Sequence, residues 1–409
     1  MHNNPAKVKS KLTEKIFLFA LFSSLAFGKW GAWIGVPSKG IFLIDFLFFF
    51  TLFINFFKNG LDKKLMIFYT LPLGFYCILE MYYSDYGNFI TKIRDLLPFL
   101  YLAFVPSLVN MINKIGYRRI ILVFRQSTVV HLFWSTLVLF RVLEPLQVMP
   151  NVFGVPIFQN RWDLSGMVFG IGILSWSDFR KMGLLRNKVL IAFFAIIGVA
   201  QGSRAGALAT LIALFVSLIY SDQARLMRSK IKAITFMSVI TIILAILANI
   251  TSSIFPDSFF SRIGFIGYDQ GRQTSARNTA VARADAAILV LKWTKSSNKV
   301  LFGAGPGFEI LQESGAIRYL SGNAEVRSPH NWFIGLFSRF GIIGTIFWLS
   351  LVAIPFVGST KQRDMRMLAM GGFICILTTG SMGVIIESPF GSLPLTVFVG
   401  IQHTIRKLR

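Results

Sequence analysis

Three groups of polar residues interrupt an apolar chain, and their types suit the handling of a phosphate-bearing anion beside a hydroxyl. The first is Gln201-Gly202-Ser203-Arg204-Ala205-Gly206, where an arginine flanked by small residues lies between two short apolar runs. A guanidinium beside lipid is costly unless it faces a cavity or a partner; otherwise it snorkels to the interface. The second is a set of arginines, Arg262, Arg272, Arg277 and Arg283, in one polar segment. The planar guanidinium fork makes bidentate, charge-assisted hydrogen bonds to phosphate at any pH. The alternative is a solvated face, or one drawn to anionic headgroups. The third is His330-Asn331. Histidine is the side chain most readily poised as a base near neutral pH. Placed where a polar segment enters an apolar run, it either activates a hydroxyl or caps the following helix.

Other candidates carry less. Gly303-Ala304-Gly305-Pro306-Gly307 lacks the Gly-Lys-Ser/Thr of a phosphate-cradling P-loop and reads as a tight turn that repositions the chain. Asp45 and Glu387 lie within or at the end of apolar runs, each either a functional acid or half of a structural ion pair. Cys77 and Cys375 sit inside apolar runs and give neither a disulfide framework nor a metal spacing. His2, His131, His330 and His403 form no pair of the HExxH kind, so no metal site is expected.

The elements that must position these residues follow from composition. Of 409 residues, 54% are hydrophobic and only 15% charged, against about 25% charged in soluble domains, which sets an ordinary soluble enzyme aside. About 20 apolar residues span a bilayer. Runs of that order recur at 16–36, 40–57, 65–82, 93–112, 120–141, 162–177, 189–203, 205–220, 233–250, 331–357, 367–386 and 391–403. The expected fold is therefore an all-α polytopic membrane protein of about twelve transmembrane helices. The lysines before Ile16 resemble the start of a signal peptide, but no small-residue cleavage site follows, so this run is read as an uncleaved first span.

The net charge of +24 and a pI near 10.3 raise the possibility of nucleic-acid binding. The distribution of the cations sets it aside. With a cytoplasmic N-terminus, the inside segments are 1–15, 58–64, 113–119, 178–188, 221–232, 358–366 and 402–409. Each carries three or four Lys or Arg, and together they hold only the acids Glu14, Asp62, Asp178, Asp222 and Asp364. That is the positive-inside pattern, with both termini cytoplasmic, and no nucleic-acid partner is expected. One connection is out of scale: residues 251–330, between the ninth and tenth runs, form one long outside loop in an otherwise single 1–409 membrane domain. Long structured loops are where function concentrates. Within it, 275–293 places Val281, Ala284, Ile288 and Leu291 at helical spacing, which predicts an amphipathic helix packed through those residues on the bundle or lying at the interface.

The order of these motifs resembles the O-antigen ligase family, which includes related O-antigen polymerases. The resemblance rests on Gly202-Ser203-Arg204-Ala205-Gly206 at a span junction, an arginine-led loop helix, Val300 to Gly307, Pro329-His330-Asn331-Trp332, and Phe340-Gly341-Ile342-Ile343-Gly344. Phe158-Gln159-Asn160-Arg161 is similar to the family's Asn-containing motif before its sixth span. The strong part covers about 200–350. The resemblance implies a glycosyltransferase of the bacterial inner membrane. It would move a glycan from an undecaprenyl-diphosphate-linked donor to a lipid A-core sugar hydroxyl, without metal or other cofactor, on the periplasmic face that carries the 251–330 loop. A polymerase, with a second lipid-linked glycan as acceptor, is the alternative; a lipid-linked oligosaccharide flippase is the reading from another class. Carried over by motif, Arg204 and His330 match essential family residues, and Arg283 or Arg277 supplies the loop arginine. Arg204, Arg283 and Arg277 would bind the diphosphate, with Asn331, Asn160 and Arg161 in support. The family often places Trp four residues after the loop arginine; after Arg283 that place holds Ala287, and Trp293 comes later.

Overall fold

The computed structural model describes residues 12–28, 34–36, 41–58, 62–82, 87, 89–139, 162–177, 185–200, 203–220, 270–320, 327–357, 362–383 and 385–407. Helices dominate them: α1 Leu12–Ala26, α2 Leu43–Lys58, α3 Lys63–Tyr82, α4 Phe89–Ala103, α5 Val105–Ile115, α6 Tyr117–Leu139, α7 Trp162–Trp176, α8 Leu185–Ala200 and α9 Arg204–Tyr220. Then follow α10 Gln270–Ser296, the short α11 Ile310–Glu313, α12 Trp332–Ala353, α13 Arg363–Ser381 and α14 Pro389–Lys407. A two-residue antiparallel ladder, Gly35–Val36 with Ile41–Phe42, is the exception among the described residues.

Each apolar interval except the ninth coincides with a helix; residues 233–250 lie outside the described residues. The first helix is shorter than expected, ending at Ala26, and Gly35 and Val36 pair with the start of the next element. By length and composition, Tyr117–Leu137 and Trp332–Phe356 can cross a bilayer alone, and α4 with α5 passes the same test as a pair bent by 49°. The bend has a local cause: Pro106 opens α5, and a proline ring clashes with the carbonyl four residues back.

Small residues let the helices approach closely, as lipid-embedded packing favours. A Cβ on Gly166 would sit 2.1 Å from the Gly206 Cα, so α7 and α9 touch backbone to backbone. Gly170 faces Cys375, Ala209 and Ala213, and Gly371 faces Leu174 and Val216, which sets α13 antiparallel to both. At the centre runs α14, buried on every side from Pro389 to Gln402. A helix apolar all round belongs inside a bundle.

The predicted loop helix exists as α10, but it buries another face. Ala286 and Val290, backed by Leu289 and Trp293, pack with Ala304, Ile310, Leu311, Ala316, Phe308 and Ile334 in a satellite core. Trp293 stacks on Phe308 at 5.2 Å. Ala284 is exposed, and Ile288 and Leu291 are 47% and 39% exposed. The cause is the run Ala286-Ala287-Ile288-Leu289-Val290-Leu291, in which two stripes share the 3.6-residue period. Periodicity alone does not choose between them; contact with Trp293 and Phe308 does.

Candidate functional site

His330 stands at the entrance to α12. The cap of that helix is Asn331, whose Oδ1 accepts from the Ile334 N–H at 3.2 Å while its carbonyl accepts from Gly335 N–H at 3.0 Å. His330 therefore does not cap α12. Its backbone is left-handed, φ 54°, an uncommon conformation for a non-glycine residue. Such conformations persist when the surroundings over-determine them, and they concentrate at functional sites.

Three residues before His330, Arg327 joins a buried charge cluster. Asp95, on α4, accepts at Oδ2 from two donors, the Gly307 N–H at 2.8 Å and Arg327 Nη2 at 3.0 Å, and pairs electrostatically with Arg339, whose Nε lies 3.3 Å away. Arg339, on α12, also reaches Glu387 Oε1 from Nη1 at 3.4 Å and donates from Nη2 to the Arg327 carbonyl at 2.6 Å. Asp95 and Arg339 are buried, at 7% and 2% exposure. Two acids face two arginines, so the cluster is neutral. Glu387 is thereby half of an ion pair. Asp45 has a different partner: it accepts from the Tyr101 hydroxyl and joins no ion pair among the described residues.

Gly303 to Gly307 has a defined task. Gly341 breaks α12 with φ 64° and ψ −170°, which strips carbonyls on one side of the break and N–H groups on the other of their helical partners. The turn and its neighbours replace them. Ala304 N–H donates to the Ser338 carbonyl and Gly305 N–H to that of Arg339, both at 2.9 Å. Tyr76 donates its hydroxyl to the Phe340 carbonyl at 2.7 Å. Beyond the break, Ile342 and Ile343 N–H donate to the Val300 and Leu301 carbonyls at 2.8 and 3.3 Å. Gly303, Gly305 and Gly307 all have φ between 80° and 90°, so this plug requires glycine. It fastens the satellite core to the helix that begins beside His330.

Arg204 opens α9 at the same end of the bundle. Ser203 Oγ caps it, accepting from Gly206 N–H at 3.2 Å. The level follows from helix rise. The Cys375 thiol donates to the Ala209 carbonyl at 3.3 Å. Arg204 lies five residues before Ala209, and Gly380 five residues after Cys375 on the antiparallel α13, so each is about 7.5 Å further toward one end. Gly380 lies against Trp332, two residues past His330. The starts of α7, α9 and α12 thus meet at one end of the molecule.

A protein-family model described as O-antigen ligase matches residues 189–349. Over this segment the chain is similar to the O-antigen ligase family. No curated protein matches the chain. The apolar helices point to a membrane protein, and the matched family is one of glycosyltransferase-like enzymes.

The O-antigen ligase segment runs from α8 to near the end of α12 and contains Arg204, Arg277, Arg283 and His330. Asp95 and Glu387, the acids of the charge cluster, lie outside it. On α10, Arg283 shares a helical face with Ala286 and Val290, being three and seven residues before them. It sits exposed one turn beyond the satellite core that includes Ile334. Arg277 lies on α10 nine residues before Ala286. Arg272 also lies on α10. Asn160, Arg161 and Arg262 fall outside the described residues.

Reading the motifs did not single out Asp95, Arg327 or Arg339. A signal was present for two of them: Asp95 and Arg339 are ionisable residues inside predicted spans, where an unpaired charge is expensive and a partner is implied.

Proposed function

We propose that the protein is an O-antigen ligase-like glycosyltransferase of the bacterial inner membrane. It moves a glycan from undecaprenyl diphosphate to a sugar hydroxyl of lipid A-core. In this reading the chain crosses the membrane about twelve times with both termini cytoplasmic, and the 251–330 loop covers a site on the periplasmic face. The observation that carries it is the meeting, at one end of the bundle, of the family-matched Arg204 junction, the arginine-bearing α10 and a left-handed His330.

The chemistry needs few groups. The acceptor hydroxyl oxygen attacks the anomeric carbon as the bond to the diphosphate oxygen breaks, which inverts the configuration. His330 takes the hydroxyl proton. The departing lipid diphosphate leaves with its electron pair as an anion, and Arg204 and Arg283 stabilise the developing charge. Arg283 is preferred to Arg277 because it shares the face of α10 that turns toward α12. Fixed cations in a water-poor site act where charge develops, so no carboxylic acid is needed for this leaving group. Asn331 holds the turn that carries His330, and the Asn160-Arg161 pair precedes α7, which packs against the start of α9.

A deletion strain tests the assignment through its glycolipids. Loss of a ligase leaves bare core and accumulated lipid-linked polymer; core bearing a single repeat unit would assign the polymerase reading instead. Purified protein in liposomes should transfer glycan without a transmembrane gradient, which a flippase would not. Arg204→Lys should lower kcat by roughly 10²-fold, the range of one lost transition-state donor, because a point charge does not replace the fork. Wild-type turnover in that variant would remove the bidentate clamp.

A further inference from the structure

We propose that Asp95 is a positioning residue for His330. One carboxylate oxygen holds both chain segments that converge on the site: the turn ending at Gly307, and the segment from Arg327 that leads through Ser328 and Pro329 into His330. The proposal rests on the role given to His330 above and adds a residue outside the O-antigen ligase segment.

The geometry has the form of a latch. The Arg327–His330 segment is tied twice, by its Arg327 side chain to Asp95 and by its Arg327 carbonyl to Arg339. Asp95 and Arg339 are themselves paired, so the two ties share one anchor. The plug at the Gly341 break is tied to that anchor through the Gly307 N–H. A left-handed histidine reverts to an ordinary backbone conformation once its leading segment is free; the latch removes that freedom on one side, and the Asn331 cap removes it on the other.

Stability alone does not account for the cluster. Apolar side chains of similar volume often serve a buried site at least as well as an ion pair does. What an ion pair with shared hydrogen bonds adds is direction, and reacting groups are sensitive to displacements of about 1 Å. Asp95 is buried and bonded to the loop through Gly307 and Arg327, so it acts through that segment and not on the glycan.

The test measures kcat and donor KM for transfer by the full-length protein in liposomes, alongside chromatographic behaviour and thermal stability. Asp95→Asn keeps an acceptor for the Gly307 N–H but loses the charge that holds the two arginines. The expected result is a kcat at least tenfold lower, a donor KM within about twofold of wild type, and partial recovery in Asp95→Glu. Arg327→Gln, at a half-buried position with less folding risk, should show the same split and decides the matter if Asp95→Asn does not fold. Wild-type kcat in either folded variant overturns the latch, as does a fall in activity that only tracks loss of folded protein. His330→Ala in the same assay separates the failures. Turnover retained there removes the role given to His330, on which the latch rests, whereas an inactive His330→Ala beside active latch variants removes only the role of Asp95.

Discussion

His330→Ala is expected to abolish glycan transfer while the protein still inserts, purifies and melts as the wild type does. If His330 is the base, its loss costs roughly 10²–10⁴-fold in rate, and the position offers no replacement: Asn331 next to it is committed to capping α12. The left-handed backbone at His330 makes a second variant more informative than alanine. A non-glycine residue in this conformation carries a cost of about 1–2 kcal/mol. His330→Gly removes that cost, offset in part by the greater freedom glycine gives the unfolded chain. It should therefore melt at or above the wild-type temperature and still fail to transfer. Paired measurements of turnover and melting check this. Activity in His330→Gly would remove the histidine from the chemistry, and a large drop in its melting temperature would remove the strain.

Gly341→Ala should be severely damaging. An added Cβ would meet the Leu301 carbonyl oxygen at 2.2 Å and the Phe302 nitrogen at 2.5 Å. Both are backbone atoms, so no side chain can swing aside. Moving the plug orphans the Ile342 and Ile343 N–H groups, whose acceptors are the Val300 and Leu301 carbonyls. Each unsatisfied group costs about 1–3 kcal/mol, and the backbone conformation at 341, open essentially to glycine alone, adds on the order of 1–3 kcal/mol more. The expected readouts are a large fall in thermal stability, loss of transfer, and new proteolytic cleavage between 297 and 309. Gly315→Ala is the control: its φ is also positive, at 67°, but nothing lies within 4 Å of the added Cβ. That variant should lose only about 1 kcal/mol and keep its activity. Equal damage in both would mean that backbone conformation, and not the plug, governs Gly341.

Much of this was legible in the sequence because it depends on local composition. Apolar runs become helices wherever backbone groups have no water to bond, and helices do occupy the described runs. The left-handed turns at Gly303, Gly305 and Gly307 were legible as a tight turn, since glycine alone enters that region freely. The order Arg204, loop arginines, His330 carried the family. One reading failed for an identifiable reason, and one that the sequence left open was divided by the structure. The buried face of α10 was misassigned because its second half is apolar on more than one side, and the choice belongs to Trp293, Phe308 and Ile334. Asp45 and Glu387 looked alike as acids in apolar runs, yet one meets a phenol and the other an arginine 48 residues away.

By itself, then, the sequence determined a helical, apolar chain and the types of the polar residues that interrupt it, because each follows from neighbours within a few turns. Only the tertiary structure decided that a glycine-rich turn plugs a break in α12, that His330 is left-handed, and that Asp95 anchors both segments. Those features rest on contacts such as Asp95 to Gly307 and to Arg327, 212 and 232 residues apart. No local periodicity encodes pairings at that separation; they exist only once the helices have packed and low dielectric forces each buried charge to find a partner.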